Sequence, residues 1–156
     1  MQDLNSLNQV AEFHRTFKHP APAQPAIPSK ERCALRVSLL AEELKELQQA
    51  IDDNNMVEIA DALCDIQYVL SGAVLEFGLG EKFKELFDEV HRSNMSKACK
   101  TIEEANQTMD HYLAKDNTES HYKEEDGLFL VYRTADNKTL KSIAYSPASL
   151  QAVLSK

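Results

Sequence analysis

Residues 30–77 read KERCALRVSLLAEELKELQQAIDDNNMVEIADALCDIQYVLSGAVLEF. Two long helical patterns meet here at a polar turn. In the first, Cys33, Val37, Leu40, Leu44, Leu47 and Ile51 recur at three- and four-residue intervals, the spacing that lines one face of a helix. Ser29 stands where an N-cap belongs. Residues 52–55 form the turn, and a second helix over 56–77 carries Leu63, Gln67, Leu70, Val74 and Phe77 on one side, with apolar residues almost all round. A four-residue connection folds two such helices back on each other as an antiparallel pair.

Outward from this pair, Leu4, Leu7, Val10, Phe13 and Phe17 predict a helix over 3–17. HPAPAQPAIP (19–28) then holds four prolines and reads as an extended linker. Downstream, GLG (78–80) breaks the pattern before a helix that carries Phe83, Leu86, Phe87 and Val90 and runs to about residue 97. Thr101 and Glu104 make a capping box for a fifth helix over 102–113. Residues 116–126 read as loop. LFLVYRT (128–134) then pairs with TLKSIAY (139–145) across a DNK turn, and a short helix over 147–154 has Pro147 in its first turn. The expected fold is all-α: a bundle of four to five helices with a small C-terminal β-hairpin and a short terminal helix. A chain of 156 residues, 43% hydrophobic, suits one domain, with a helical core over 1–114 and a tail over 115–156.

Composition excludes several roles. Asp65 and Glu76 interrupt the most hydrophobic stretch, so no segment reads as a membrane span. The N-terminal MQDLNSLNQVAEFHR lacks the basic-then-apolar pattern of a signal peptide, which gives the expectation of a cytoplasmic protein. Cys33, Cys64 and Cys99 are far apart and odd in number, so they read as buried thiols rather than as a disulfide or zinc framework. A net charge of −8, from 17 basic and 25 acidic residues, does not suit a nucleic-acid binder.

The charge is concentrated. Glu42, Glu43, Glu46, Asp52, Asp53, Glu58, Asp61 and Asp65 are opposed by Lys45 alone, so this window carries −7 of the −8. On the first helix Glu43 and Glu46 share one flank, with Glu42 further round. On the second, Glu58, Asp61 and Asp65 share a narrow sector. Packed antiparallel, ExxE and ExxD face each other and four carboxylates converge. Two carboxylates about 4 Å apart repel by roughly 4 kcal/mol at an effective dielectric near 20. The stripes are therefore either a solvated face or a site for a hard cation, Mg²⁺ or Mn²⁺. A di-iron bundle needs two ExxH pairs, and Asp88 with His91 is the single near match. His14, His19, His111 and His121 show no ligand spacing and read as surface or capping residues.

The strings LLAEELKEL and VEIADALCDIQYVL, followed by VHRSNMSK (90–97), resemble the three blocks of the MazG-like all-α nucleoside triphosphate pyrophosphohydrolases, nearest to the phosphoribosyl-ATP pyrophosphohydrolase-like branch. The resemblance runs from about Val10 to Lys97. It implies Mg²⁺ held by Glu43, Glu46, Glu58 and Asp61, triphosphate contacts from Asn94 and Lys97, Glu42 as a base or water-orienting group, and Asp65 supporting the ligands from one turn beyond. It further implies cleavage between the α- and β-phosphates of an NTP or dNTP to give a nucleoside monophosphate and pyrophosphate, a housecleaning role in the nucleotide pool, and a homodimer or dimer of dimers. Two other readings share these residues: a phosphoribosyl-ATP pyrophosphatase of histidine biosynthesis, and a noncatalytic nucleotide-binding helical dimer.

Overall fold

Three residues explain how the first half of the chain turns back on itself. Asp53 ends one helix, Asn54 adopts φ +51°, and Asn55 Oδ1 accepts the backbone N–H groups of Val57 (3.1 Å) and Glu58 (3.4 Å), capping the next. Asparagine tolerates the left-handed conformation and is among the strongest N-caps, so DDNN both stops and restarts a helix. The computed structural model describes residues 4–156, which fall into two compact units divided between Phe83 and Lys84. Among the described residues the chain is mainly helical, with six helices and a two-stranded antiparallel hairpin. Residues 1–3, including the first position of the helix expected over 3–17, lie outside the described residues.

The first unit contains α1 (Ser6–Phe17), α2 (Lys30–Asp52) and α3 (Met56–Glu76), with α3 packed against both others. Ser29 caps α2 by accepting the Arg32 N–H at 3.4 Å. The stripe that the spacing assigns to the α2 core is only partly inside: Cys33, Leu40 and Leu47 are partly buried, but Val37 is 68% exposed and Leu44 56%. Arg36 and Ala50 are the buried residues of α2. On α3, Val74 of the expected stripe is buried together with Leu75, Ala62, Ser71 and Gly72, while Leu63 stays 52% exposed and Leu70 39%. Both helices are apolar over an arc wider than one neighbour covers, and the small side chains permit the closer approach.

The second unit contains α4 (Phe83–Met95) from its second residue on, α5 (Ile102–Asp116), β1 (Ser120–Glu125), β2 (Leu128–Arg133) and α6 (Leu150–Leu154). Its core gathers Cys99, Ala105, Val131 and Leu140, with Met109, Tyr112, Tyr122 and Phe129 against them. Thr101 caps α5 by accepting the Glu104 N–H at 3.2 Å, and Glu104 accepts in return from Lys100 N at 3.0 Å.

The hairpin differs from the expected pairing. β2 pairs with the segment before it, Ser120 opposite Arg133 through Glu125 opposite Leu128, whereas 139–145 contributes an isolated bridge between Thr139 and Tyr132. The deciding signal is Asp126–Gly127, whose φ values of +50° and +75° suit a two-residue hairpin turn. Residues 147–149 precede α6 rather than opening it. Two further expectations are corrected by burial. Cys99 is buried, but Cys33 is partly exposed and Cys64 exposed. His14 is enclosed, not at the surface.

Candidate active site

The carboxylate centre sits on the α2–α3 pair. Counting from Asn54, Glu43 lies eleven residues before it and Asp65 eleven after, so antiparallel packing sets them at one height. Glu46 and Asp61, eight before and seven after, form the next level toward the turn. Glu58 lies only four beyond Asn54, in the exposed first turn of α3.

Glu43 and Asp65 are the partly buried members of this group, and Glu43 is the more constrained. Its Oε2 is fully enclosed and has no hydrogen-bond partner; among the described residues Ser120 Oγ is the one other buried side-chain oxygen in that condition. Burial pushes the Glu43 pKa up, and the charges of Glu46, Asp65, Glu42 and Asp61 raise it further, in that order. Glu58 is not one of these four. Asp65, read from the sequence as a supporting group, acts on Glu43 more strongly than Glu42 or Asp61 does. The signal that finds it is its equal distance from the turn.

As the side chains stand, no three His, Cys, Asp or Glu groups among the described residues are placed to hold one ion. Glu42, Glu46 and Asp61 are exposed, and among the described residues no hydrogen bond holds them away from Glu43. The chemistry of the set fits a divalent cation: the donors are hard carboxylate oxygens, one of them buried and unsatisfied, amid unbalanced negative charge.

A second charged cluster of the first unit was hidden from the sequence. Glu76, 2% exposed, accepts from Arg32 Nε, from Arg32 Nη2 (3.0 Å) and from Arg36 Nε. His14 Nδ1 pairs with the Pro20 carbonyl at 2.9 Å, and its Nε2 lies 3.4 Å from Arg36 Nη2. Neutral His14 with its proton on Nδ1 satisfies both contacts. Gly72 makes room, since a Cβ there would stand 2.8 Å from Arg36 Nη1. His14, Arg32, Arg36 and Gly72 border a cavity of about 230 Å³ with aromatic walls from Phe13, His19 and Tyr68. Leu39 of that wall lies one turn before Glu43, and Val69 one turn after Asp65.

In the second unit, Asn94 and Lys97 mark the end of α4. Lys97 Nζ donates to Asn94 Oδ1 at 2.7 Å.

The sequence model of the phosphoribosyl-ATP pyrophosphohydrolase family matches residues 10–94, more than half of the chain. The chain belongs to that family. The match takes in α1 from Val10 onward, all of α2 and α3 and nearly all of α4, and so includes both acidic stripes and Asn94, with Lys97 three residues beyond it. The family makes the chain a pyrophosphohydrolase of the MazG type, a hydrolase acting on acid anhydrides. An uncharacterized protein of Acanthamoeba polyphaga mimivirus is 26% identical, across 85% of this chain and 89% of its own length. No described helix is long and apolar enough to cross a membrane.

Proposed function

We propose that this pyrophosphohydrolase is Mg²⁺-dependent and cleaves the α–β phosphate bond of an NTP or dNTP, releasing a nucleoside monophosphate and pyrophosphate as a nucleotide-pool housecleaning reaction. The observation that carries the reading is Glu43: a buried, unsatisfied carboxylate oxygen pressed by four further carboxylates on the family-matched helices. Glu43, Glu46, Asp61 and Glu58 would hold the cation, with Mn²⁺ an acceptable replacement, and Asp65 supports Glu43 from the facing helix. When bound, the ion supplies Lewis acidity and neutralises triphosphate charge. Glu42, exposed beside the ligands, accepts a proton from the attacking water or orients it. The new P–O bond forms in line as the bond to the bridging oxygen breaks, and pyrophosphate departs. Asn94 offers a neutral donor and Lys97 a point charge to phosphate oxygens.

The exposed apolar residues Val37, Leu44 and Ile51 on α2, and Met56, Val57 and Leu63 on α3, support a homodimer or dimer of dimers. Three free cysteines suit a reducing compartment, which supports a cytoplasmic location.

The test is product analysis with the full chain, Mg²⁺ and a panel of canonical and modified NTPs and dNTPs, with phosphoribosyl-ATP included. Pyrophosphate from at least one (d)NTP, and faster than from phosphoribosyl-ATP, is expected. Orthophosphate as the sole inorganic product refutes α–β cleavage, and absence of any turnover refutes the enzyme reading in favour of a nucleotide-binding dimer.

A further inference from the structure

Residues 141–146, KSIAYS, lie outside the family-matched region and have no helix or strand. Yet each of their six consecutive backbone N–H groups is paired. Lys141 N donates to Tyr112 Oη (3.3 Å), Ser142 N to Lys97 O (3.1 Å) and Ile143 N to Thr108 Oγ1 (3.1 Å). Ala144 N and Tyr145 N donate to Ser142 Oγ and O, both at 2.9 Å, and Ser146 N donates to Ser96 Oγ at 3.0 Å. Irregular backbone satisfied at every donor holds the side chains it carries in one place.

The anchors matter as much as their number. Lys97 O and Ser96 Oγ belong to the stretch that carries Asn94 and Lys97, and Ser93 Oγ from the same stretch donates to Tyr145 Oη at 3.0 Å. Tyr145 thus accepts from Ser93 and keeps its own hydroxyl proton to donate elsewhere. Lys141 Nζ stands 4.3 Å from the centre of the Tyr145 ring. The phenol feels both ammonium groups: the Ser93 hydrogen bond first, then Lys141 and Lys97, hold its pKa below that of an ordinary tyrosine.

Two like charges are therefore gathered about one phenol, in a chain of net charge −8, and among the described residues neither lysine forms an ion pair. Lys97 is tied to Asn94 Oδ1, which leaves the amide NH₂ as that side chain's remaining donor. Two ammonium groups, an amide NH₂ and a phenolic O–H are all donors without an acceptor of matching charge. They complement a ligand rich in anionic oxygens.

We propose that Lys141 and Tyr145 join Asn94 and Lys97 in an oxyanion site for a phosphoanhydride, so that the C-terminal segment extends the phosphate-binding motif and favours a polyphosphate over a single phosphate. The identity of the anion as a substrate tail or pyrophosphate product rests on the function proposed above; the existence of the site does not.

The experiment is calorimetric titration of the full chain with inorganic pyrophosphate in EDTA, so that no divalent ion joins the acidic centre to the ligand. Orthophosphate at equal ionic strength is the parallel arm. Wild type is expected to bind pyrophosphate more tightly than orthophosphate. Lys141→Met keeps the stem and loses the charge, and should weaken pyrophosphate about tenfold. Lys141→Arg should restore most of the loss. Lys123→Met, which removes a lysine from over the Tyr132 ring elsewhere in the same unit, should change nothing. Tyr145→Phe should weaken binding by a smaller factor, and a steady-state assay of Lys141→Met should show KM raised with kcat within about twofold. Equal affinity of wild type and Lys141→Met for pyrophosphate overturns the proposal, as does equal affinity of wild type for the two anions. If the chain hydrolyses no nucleotide but Lys141→Met still weakens pyrophosphate, the site stands and the function proposed above falls.

Discussion

Glu76→Gln preserves the shape of the most enclosed carboxylate and removes its charge. The Glu76 side chain is 1% exposed and Arg36 9%, whereas Arg32 remains 33% exposed. Removing one partner of a buried ion pair leaves an uncompensated charge and costs about 3–5 kcal/mol. The Arg32 share is screened by solvent and adds little, and the glutamine oxygen still accepts one hydrogen bond, so the low end, about 3 kcal/mol, is expected. For a chain of this size that is a fall in Tm of about 6–12 °C. Thermal and urea unfolding followed by circular dichroism at neutral pH reads it directly. The pH dependence adds a second check. Burial raises the Glu76 pKa, but the hydrogen bonds and charges of Arg32 and Arg36 outweigh it and leave the pKa below the ordinary carboxylate value. Such a group contributes stability above the unfolded-state pKa and loses it as pH falls through the lowered folded value. Glu76→Gln should therefore flatten the acid limb of the stability profile. A Tm within about 2 °C of wild type would refute the assignment of Glu76 as the neutralising centre of this unit.

Glu43→Gln and Asp61→Asn should each reduce turnover by more than about a hundredfold while leaving Tm unchanged or higher, because they remove ligand charge and relieve repulsion; a variant that keeps most activity is not a ligand. Burial, and then the charges of Arg36 and His19, lower the His14 pKa against the raising effect of its Pro20 contact. His14 is thus a group whose stability contribution is present above the unfolded pKa near 6.5 and is lost as pH falls below it. His14→Gln should remove that part of the wild-type loss between pH 7 and 5.5 in chemical denaturation, and an unchanged slope would place the titration elsewhere. Gly127→Ala and Gly78→Ala are the same substitution in two settings. Both glycines have positive φ, but a Cβ at Gly127 meets nothing within 4 Å, whereas one at Gly78 would lie 1.9 Å from the Gln24 carbonyl oxygen. The first should cost about 1 kcal/mol and the second several times that, by urea unfolding; equal costs would show that the linker moves aside.

The helices were legible because their boundaries are written in local chemistry: Ser29 and Thr101 each cap where the sequence placed a cap, and the residues read as a turn end in Asn55, which caps α3. The direction in which α2 and α3 face was legible only in part: Val74 of the expected stripe is buried, but Val37, Leu44 and Leu63 are exposed. Periodicity ranks side chains by hydrophobicity, and the inward face here is marked by Arg36, Ala50, Ala62, Ser71 and Gly72, whose small size or ion pairing no apolar count rewards. The hairpin was misassigned because strand propensity in 139–145 outweighed the Asp126–Gly127 turn signal, and because HYKEE reads as polar loop until Val131 and Phe129 supply the face it covers. At the site, ExxE and ExxD were visible as spacing. The place of Asp65 opposite Glu43 needed the turn position as well, and Lys141 with Tyr145 needed a hydrogen-bonded path that no spacing encodes.

The proline-rich stretch after α1 has the composition of a spacer, and spacers ordinarily accept changes of length. This one is gripped midway. The Gln24 carbonyl rests where Gly78 has no side chain, and Ala26 N–H donates to the Phe77 carbonyl at 3.0 Å. Its two halves are therefore separate spans of fixed reach, one holding α1 and the Pro20 contact to His14, the other delivering Arg32 to Glu76. An insertion in either half displaces a polar contact of the enclosed His14–Arg36–Glu76 cluster rather than lengthening a free loop. The same grip opposes exchange of α1 between copies, because a swap needs this hinge to open, and opening it would break the Phe77 contact before any partner helix arrived.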